Sequence, residues 1–365
     1  MKRIAQLVPV FPPDSGGMGV VAERIAYTVP SLETITLTPH SSFHTHKILS
    51  VPALRIGNAG WSPLLKKIIS EYDHILFHWP FFGAYTPVMR WKKKFPHKKL
   101  TVWYHMDLHA SDYRFPFFLW AQNYAWPRLS RSADEIICST SDFWNHSAGF
   151  KGAQKKQFIE IHFPLPPQWN EKKILSYENR TRDFIWVGAF DRAHDFKGAG
   201  KFIDAMRRLT KEAHAKGEKI PSATMVGRGP DISRYQAMAK SLDIDFPSVP
   251  WEPQQMALRT MYASHRFFVL PSVSRSESFN LAMMEAQAMG VLALCADMPG
   301  VRIVNQWKEG VFSHKRTDAM YIAMKNGLQI DRQTYIRIAQ EVQEKIVLFS
   351  DSEIWDKKIS SLFGI

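Results

Sequence analysis

A chain of 365 residues, 45% hydrophobic and 22% charged, is globular in composition and long enough for two domains, each with its own core. Disorder, a coiled coil and, since no apolar run approaches about 20 residues, a transmembrane helix are excluded. The formal charge of +13 comes from 47 Lys and Arg against 34 acidic residues and calls for an anionic partner: nucleic acid, lipid headgroups or phosphorylated small molecules.

Short apolar runs alternating with helical patterns predict a parallel α/β architecture. The first strand is expected at 4–9. It is too short for a secretory signal, because Gln6 interrupts it and Pro12 and Pro13 stop it. Asp14-Ser15-Gly16-Gly17-Met18-Gly19 follows, just before a helix over 20–29. Glycines there let a ligand approach the backbone, and helix amides can meet an anion; a plain strand-to-helix turn reads the same way. The GxGxxG spacing is absent, which argues against a dinucleotide oxidoreductase.

Further strands are predicted at 75–78, 100–105 and 135–138, with helices over 87–94 and 117–131. Between them, Arg90-Trp91-Lys92-Lys93-Lys94-Phe95-Pro96-His97-Lys98-Lys99 is the densest basic cluster. It reads either as a solvated helix end and turn or as a peripheral contact with anionic lipid, with aromatics at the interface and the aromatic stretch 115–126 beside it. No helix-turn-helix, zinc-finger or aromatic RNA-binding signature accompanies it, so nucleic acid is not expected. Tyr104-His105-Met106-Asp107 closes one strand, and strand carboxyl ends face the ligand crevice in open α/β sheets. His105 is therefore a candidate; His109 lies beyond the strand. Cys138 and Cys295 are the only cysteines, too far apart for a disulfide scaffold or a four-cysteine zinc site. Their apolar neighbours suggest buried thiols in a reducing compartment, hence a cytoplasmic protein.

His162-Phe163-Pro164-Leu165-Pro166-Pro167 breaks regular structure and opens a polar segment. The expected division is an N-terminal domain over 1–165, a linker over 166–182, a C-terminal domain over 183–345, and a helical tail over 346–365 packing back on the first domain. Strands are predicted at 184–187, 223–226, 267–270 and 291–295, and helices at 198–214, 232–242, 254–262 and 281–289, with a mostly helical tail from 317.

Three loops of the second half could carry chemistry. Val187-Gly188-Ala189-Phe190-Asp191-Arg192-Ala193-His194-Asp195-Phe196-Lys197-Gly198 offers Arg192 and Lys197 to a diphosphate, or is a solvated loop with a helix cap. Val226-Gly227-Arg228-Gly229-Pro230 offers Arg228 on a glycine-lined turn. Glu277 and Glu285 bracket Ser278-Phe279-Asn280-Leu281. On a continuous helix they would stand roughly 12 Å apart along the axis, beyond the separation of roughly 5–9.5 Å that suits a hydrolase pair. They suit the two ends of an extended ligand, with helix-start amides over 278–281 facing a phosphate between them. Two ordinary helix glutamates give the same spacing. Asp243-Ile244-Asp245 follows a predicted helix rather than a strand end and reads as a turn.

These motifs, in this order, resemble the retaining glycosyltransferases of family 4: GGMG, YHMD, VGAFDRAHDFKG, VGRGP, and ESFNLAMMEAQAMG followed by DMPGVR. The resemblance spans nearly the whole chain and implies the GT-B fold, two Rossmann-like domains with parallel sheets facing across a cleft. It implies a nucleotide-sugar donor held by the second domain and a saccharide or polyprenyl-diphosphate-linked acceptor held by the first. Glu277 would bind the donor sugar hydroxyls, and Glu285 the ribose hydroxyls. Lys197 would neutralise the leaving diphosphate with the amides near 279–281 and the Gly16-Gly17 turn, and His105 would lie near the sugar. No metal or other cofactor is expected.

Two departures stand out. Ala189 occupies a position where many members carry Arg, a wording closer to mannosyltransferases of exopolysaccharide assembly, and Arg192 or Arg228 is the candidate replacement. Asn280 stands where a glycine is usual and is expected to tolerate the same turn. The expected function is sugar transfer in surface-glycan assembly, in the cytoplasm and peripherally on the inner face of the membrane. The alternatives are a noncatalytic sugar-nucleotide-binding GT-B protein and a transferase acting on a soluble small-molecule or protein acceptor.

Overall fold

The computed structural model describes residues 2–12, 16–37, 47–56, 59–108, 120–153, 158–166, 169, 176–247 and 254–365. They form two compact units, one of Met1–Phe163 with Ser352–Ile365 and the other of Pro164–Asp351.

The first unit contains β1 (Ile4–Val8), β2 (Glu33–Thr36), β3 (Ile48–Ser50), β4 (Leu54–Ile56), β5 (Ala59–Trp61), β6 (His74–Trp79), β7 (Lys99–Tyr104), β8 (Glu135–Cys138) and β9 (Phe158–Glu160). Seven of these form one sheet in the order β3-β2-β1-β6-β7-β8-β9, parallel throughout, while β4 and β5 pair antiparallel by themselves. Every residue of β1 and β6 is buried, as central strands require when helices cover both faces.

The helix expected from residue 87 begins earlier, spanning Phe82–Lys94 with Pro87 inside it. Its first turn is anchored by tertiary packing: Phe82 meets Trp79 edge-on at 5.6 Å, and the Gly83 backbone lies so close to β5 that a Cβ would reach 1.5 Å from the Gly60 carbonyl oxygen. The aromatic stretch divides. Residues 115–119 and His109 lie outside the described residues. Trp126 is fully buried against Tyr104, Trp79 and Trp144, with its Nε1 donating to the Gly149 carbonyl at 2.8 Å. Trp120 and Tyr124 are exposed and stacked on each other.

The basic cluster divides likewise. Lys92 is spent on Asp134 (2.7 Å) and on the carbonyls of Pro96 and Lys98, which close the helix. Lys98 is held by Asp73 and the Tyr72 carbonyl, and Lys99 by Glu135. Arg90, Lys93, Lys94 and His97 are exposed.

The second unit contains β10 (Arg182–Val187), β11 (Ala223–Val226), β12 (Ile244–Asp245), β13 (His265–Leu270), β14 (Leu292–Ala296) and β15 (Val311–Phe312). Their order, β12-β11-β10-β13-β14-β15, is the doubly wound 3-2-1-4-5-6 arrangement, again all parallel. The Asp243–Asp245 stretch is not a turn. Ile244 and Asp245 pair with Ala223 and Thr224 as an edge strand, and Arg182 bridges both aspartates at 3.4 and 3.0 Å. Both cysteines are buried thiols.

The helix Ser352–Phe363 belongs to the first unit. Trp355 is buried against Trp103 and Phe163, its Nε1 donates to Thr28 Oγ1 at 3.0 Å, and the Leu362 carbonyl accepts from Lys99 Nζ.

Candidate functional site

In the second unit the strand order reverses about β10, which pairs with β11 on one side and β13 on the other. Ligands of doubly wound sheets lie outside the carboxyl ends of the strands at such a switch point. The loops that follow β10 and β13 carry Lys197 and Glu277. They meet: Lys197 Nζ lies 2.8 Å from Glu277 Oε2, with side chains 19% and 8% exposed. Apart from that lysine the oxygen has no partner among the described residues, and three other buried oxygens of this unit, Thr210 Oγ1, Ser272 Oγ and Tyr262 Oη, lack a hydrogen-bond partner there. Buried polar atoms are nearly always satisfied, so each requires an explanation.

Glycine lets these loops come together. Gly198 ends the 3₁₀ turn Arg192–Lys197 at φ +75°, where a Cβ would sit 2.6 Å from the Pro271 carbonyl oxygen; Val273 N donates to the Phe196 carbonyl beside it. A Cβ on Gly227 would fall 1.7 Å from the Gly188 carbonyl oxygen. Trp186 fills the space beneath Gly188, and its Nε1 donates to the Lys197 carbonyl at 3.3 Å. Asp191 caps the same turn through His194 N, and the Tyr235 hydroxyl donates to Asp195. Lys197 therefore stands on a loop braced from three sides. Arg192 and Arg228 are exposed on the loops after β10 and β11.

The helix expected over 281–289 runs from Leu281 to Ala288, and of the amides expected to face a phosphate over 278–281, those of Ser278 and Phe279 belong to the preceding loop. Asn280 is its N-cap, extended at φ −113° and ψ 105°, with Oδ1 accepting from Met283 N at 2.7 Å. The residue in the usual glycine position thus needs no unusual backbone angle and works as a cap. Phe279 is buried on Phe349 and anchors the loop. Glu285 lies a turn into the helix; burial of the Tyr262 phenol, and after it the Glu285 charge, hold that phenol well above the usual tyrosine range.

In the first unit, Gly16 caps the helix Gly17–Thr28 in an extended conformation, and a Cβ on either Gly16 or Gly17 would meet nothing within 4 Å. Among the described residues, neither packing nor backbone angle demands glycine there. His105 follows β7, its N–H donating to the Trp79 carbonyl at 3.0 Å. Its neighbour Asp107 is committed elsewhere, accepting from the Tyr104 hydroxyl at 2.7 Å and from Ala148 N.

Sequence reasoning missed two residues here. His78 Nδ1 lies 2.8 Å from His105 Nε2, and His78 Nε2 lies 3.2 Å from Gln6 Oε1. Burial pushes His78 down to about 3 and His105 well below the ordinary imidazole value. The signal available was a second parallel strand also bearing a histidine at its carboxyl end.

Residues 181–329 match the family model of the glycosyl transferases group 1. No curated protein matches the chain. Among solved structures, the chain is similar to sucrose-phosphate synthase (tll1590) of Thermosynechococcus elongatus, with a TM-score of 0.77 at 15% identity over 100% of this chain and 98% of that one. It is also similar to Alr3699/HepE of Anabaena in complex with UDP and glucose, with a TM-score of 0.74 at 14% identity over the full length of both. A structure described as trehalose-6-phosphate from E. coli bound with UDP-2-fluoro glucose matches at 0.65 and 11% identity, over 100% and 99%. The fold is GT-B, with two Rossmann-like domains. The matched domain supports a glycosyltransferase.

Proposed function

We propose that this chain is a retaining, metal-independent glycosyltransferase of family 4 that moves a sugar from a nucleotide-sugar donor to a saccharide or lipid-linked acceptor in surface-glycan assembly. The observation that carries the reading is the Lys197–Glu277 pair: a buried carboxylate at the switch point, held by a lysine and with no other partner for Oε2 among the described residues. A sugar hydroxyl donating to Glu277 would supply that partner. The solved relatives described with UDP, glucose and a UDP-sugar analogue make a uridine nucleotide the first donor to test.

In this reading the donor lies across the carboxyl ends of β10 and β13. Glu277 orients the sugar, Glu285 accepts from the ribose hydroxyls, and the nucleotide passes the loop Gly227-Arg228. As the sugar–phosphate bond loosens toward an oxocarbenium-like state, negative charge grows on the diphosphate. Lys197 and the backbone amides at 278–281 stabilise it, with Arg192 or Arg228 adding a guanidinium. The Gly16-Gly17 turn leaves a helix N-terminus open to an anion. The acceptor hydroxyl attacks the face the diphosphate leaves, and its proton passes to the departing phosphate, so configuration is retained. The stabilising charges belong to the protein, so transfer should persist in EDTA. We place His105 beside the sugar.

The exposed bases Arg90, Lys93 and Lys94, beside a groove of about 520 Å³ lined by Tyr85, Met89 and Pro96, fit peripheral contact with an anionic bilayer. No helix among the described residues is long and apolar enough to cross a membrane.

Thermal shift against nucleoside diphosphates and nucleotide sugars tests the reading. A ligand at about 100 times its Kd adds roughly 2.7 kcal/mol of stability. The expected result is a raised Tm with one nucleotide, lost in Glu285→Ala, and Lys197→Ala slowing turnover more than binding. No shift with any nucleotide at millimolar concentration would sink it. A shift without turnover on any acceptor would favour the noncatalytic sugar-nucleotide-binding alternative.

A further inference from the structure

Buried hydrogen bonds in the first unit fix which nitrogen of His105 carries the proton. Gln6 is fully buried in β1. Its amide nitrogen lies 2.7 Å from the Ala22 carbonyl oxygen and 2.8 Å from Thr34 Oγ1. A carbonyl oxygen can only accept, so the amide NH2 must face it, and Oε1 must face His78. Oε1 can only accept, so His78 Nε2 carries a hydrogen. His78 is itself fully buried and neutral, which leaves its Nδ1 as an acceptor. At 2.8 Å from that lone pair, His105 Nε2 must be the donor. A neutral imidazole has one N–H, so the remaining nitrogen of His105, Nδ1, is an acceptor.

The aromatic surroundings hold both rings in place. The imidazoles lie nearly in one plane, inclined by 11° with centroids 5.0 Å apart, as an edge-to-edge hydrogen bond requires. The Trp103 ring runs parallel to both, within 7° and 8°, and is itself backed by Phe163. Neither ring can turn over without breaking this stack.

We propose that Gln6 and His78 are positioning residues that lock His105 in the Nε2–H tautomer, so that it offers a hydrogen-bond acceptor at Nδ1. The chemical consequence concerns the ligand. An acceptor selects a group that donates, such as a neutral sugar hydroxyl, and disfavours a phosphate oxygen, which only accepts at neutral pH. A ligand group that meets His105 Nδ1 must therefore be a donor, a sugar or acceptor hydroxyl and not a diphosphate oxygen. This last step rests on the transferase reading; the tautomer does not.

The test is long-range 1H–15N correlation of imidazole nitrogens in the uniformly labelled full chain, with His105 identified by the signals lost in His105→Asn. The expected pattern is a pyrrole-type Nε2 and a pyridine-type Nδ1 at His105. His78→Phe removes the acceptor and should average the two nitrogens. His78→Asn places Oδ1 where Nδ1 stood and should restore the locked pattern. With a donor identified, His78→Phe should lower kcat/KM by about tenfold to a hundredfold while nucleoside diphosphate affinity is unchanged, and His78→Asn should recover most of the loss. A pyrrole-type Nδ1 at His105, or a tautomer that survives His78→Phe, overturns the proposal. The spectra require no substrate, so a wild-type protein that transfers no sugar would count against the transferase reading and leave the tautomer to be decided by them.

Discussion

Glu277 shows how one residue can be costly and useful together. A buried carboxylate is tolerable beside a lysine, and the pair at 2.8 Å makes Lys197 and Glu277 interdependent. Glu277→Gln should therefore do two things: lower Tm, because Lys197 loses its counter-charge, and cut kcat by about 10²–10³ with little change in nucleotide affinity. Differential scanning fluorimetry and steady-state kinetics on one preparation check both. Unchanged kcat would remove Glu277 from the reacting centre. Glu277 and Lys197 were legible in the sequence because each sits in a recognisable loop. His78 and Gln6 were not, because residues 72 positions apart become partners only through strand register. Ser272 and Tyr262 escaped for a similar reason, since a missing hydrogen-bond partner is a property of the packed chain.

At the scale of elements, the candidate site is made by backbone meeting backbone. Gly227→Ala would drive a methyl into the Gly188 carbonyl, and Gly198→Ala would combine a clash at Pro271 with a φ of +75°. Each should cost about 1–3 kcal/mol and weaken nucleotide binding by moving the loop that holds Lys197. Gly16→Ala, with open space around the new Cβ, should leave stability within about 0.5 kcal/mol of wild type. Urea denaturation separates the cases, and equal costs at all three positions would contradict this account. The central strands were readable because full burial writes a continuous apolar run. The edges were not: β12 has two residues and β3 three, and pairing with a neighbour stabilises them more than any pattern of their own. The helix Phe82–Lys94 starts before the expected residue 87 because contacts with β5 and Trp79, which no sequence pattern shows, set its first turn.

Over the whole molecule, buried neutral histidines set the response to acid. His74 and His78 are pushed by burial to about 3, and His265 to about 4, while unfolded histidine titrates near 6.5. Folded values below the unfolded one mean that the unfolded chain binds more protons under pH ~6.5. Stability is therefore complete above that pH and declines as pH falls toward 4, by up to ~1.4 kcal/mol per pH unit for each such residue. Melting curves at pH 7.5, 6 and 5 should show a progressive drop, and a flat profile would contradict the neutral burial. Charge at the surface makes a separate prediction. Lys93→Glu with Lys94→Glu should abolish co-sedimentation with phosphatidylglycerol vesicles, each lysine contributing about 1 kcal/mol near an anionic surface. Binding that survives both substitutions would place membrane contact elsewhere.

The helix Ser352–Phe363 has a consequence for how the protein comes into being. Trp355 reaches Thr28 across 327 residues of chain and closes the aromatic stack on Trp103 and Phe163. During translation, the half made first waits for a helix made after residues 164–351. Until the helix Ser352–Phe363 leaves the ribosome, the nascent first unit presents Trp103 and Phe163 without their Trp355 cover, while residues 164–351 already contain all of their own sheet. Deleting residues 352–363 should therefore unsettle the unit built from residues 1–163 first.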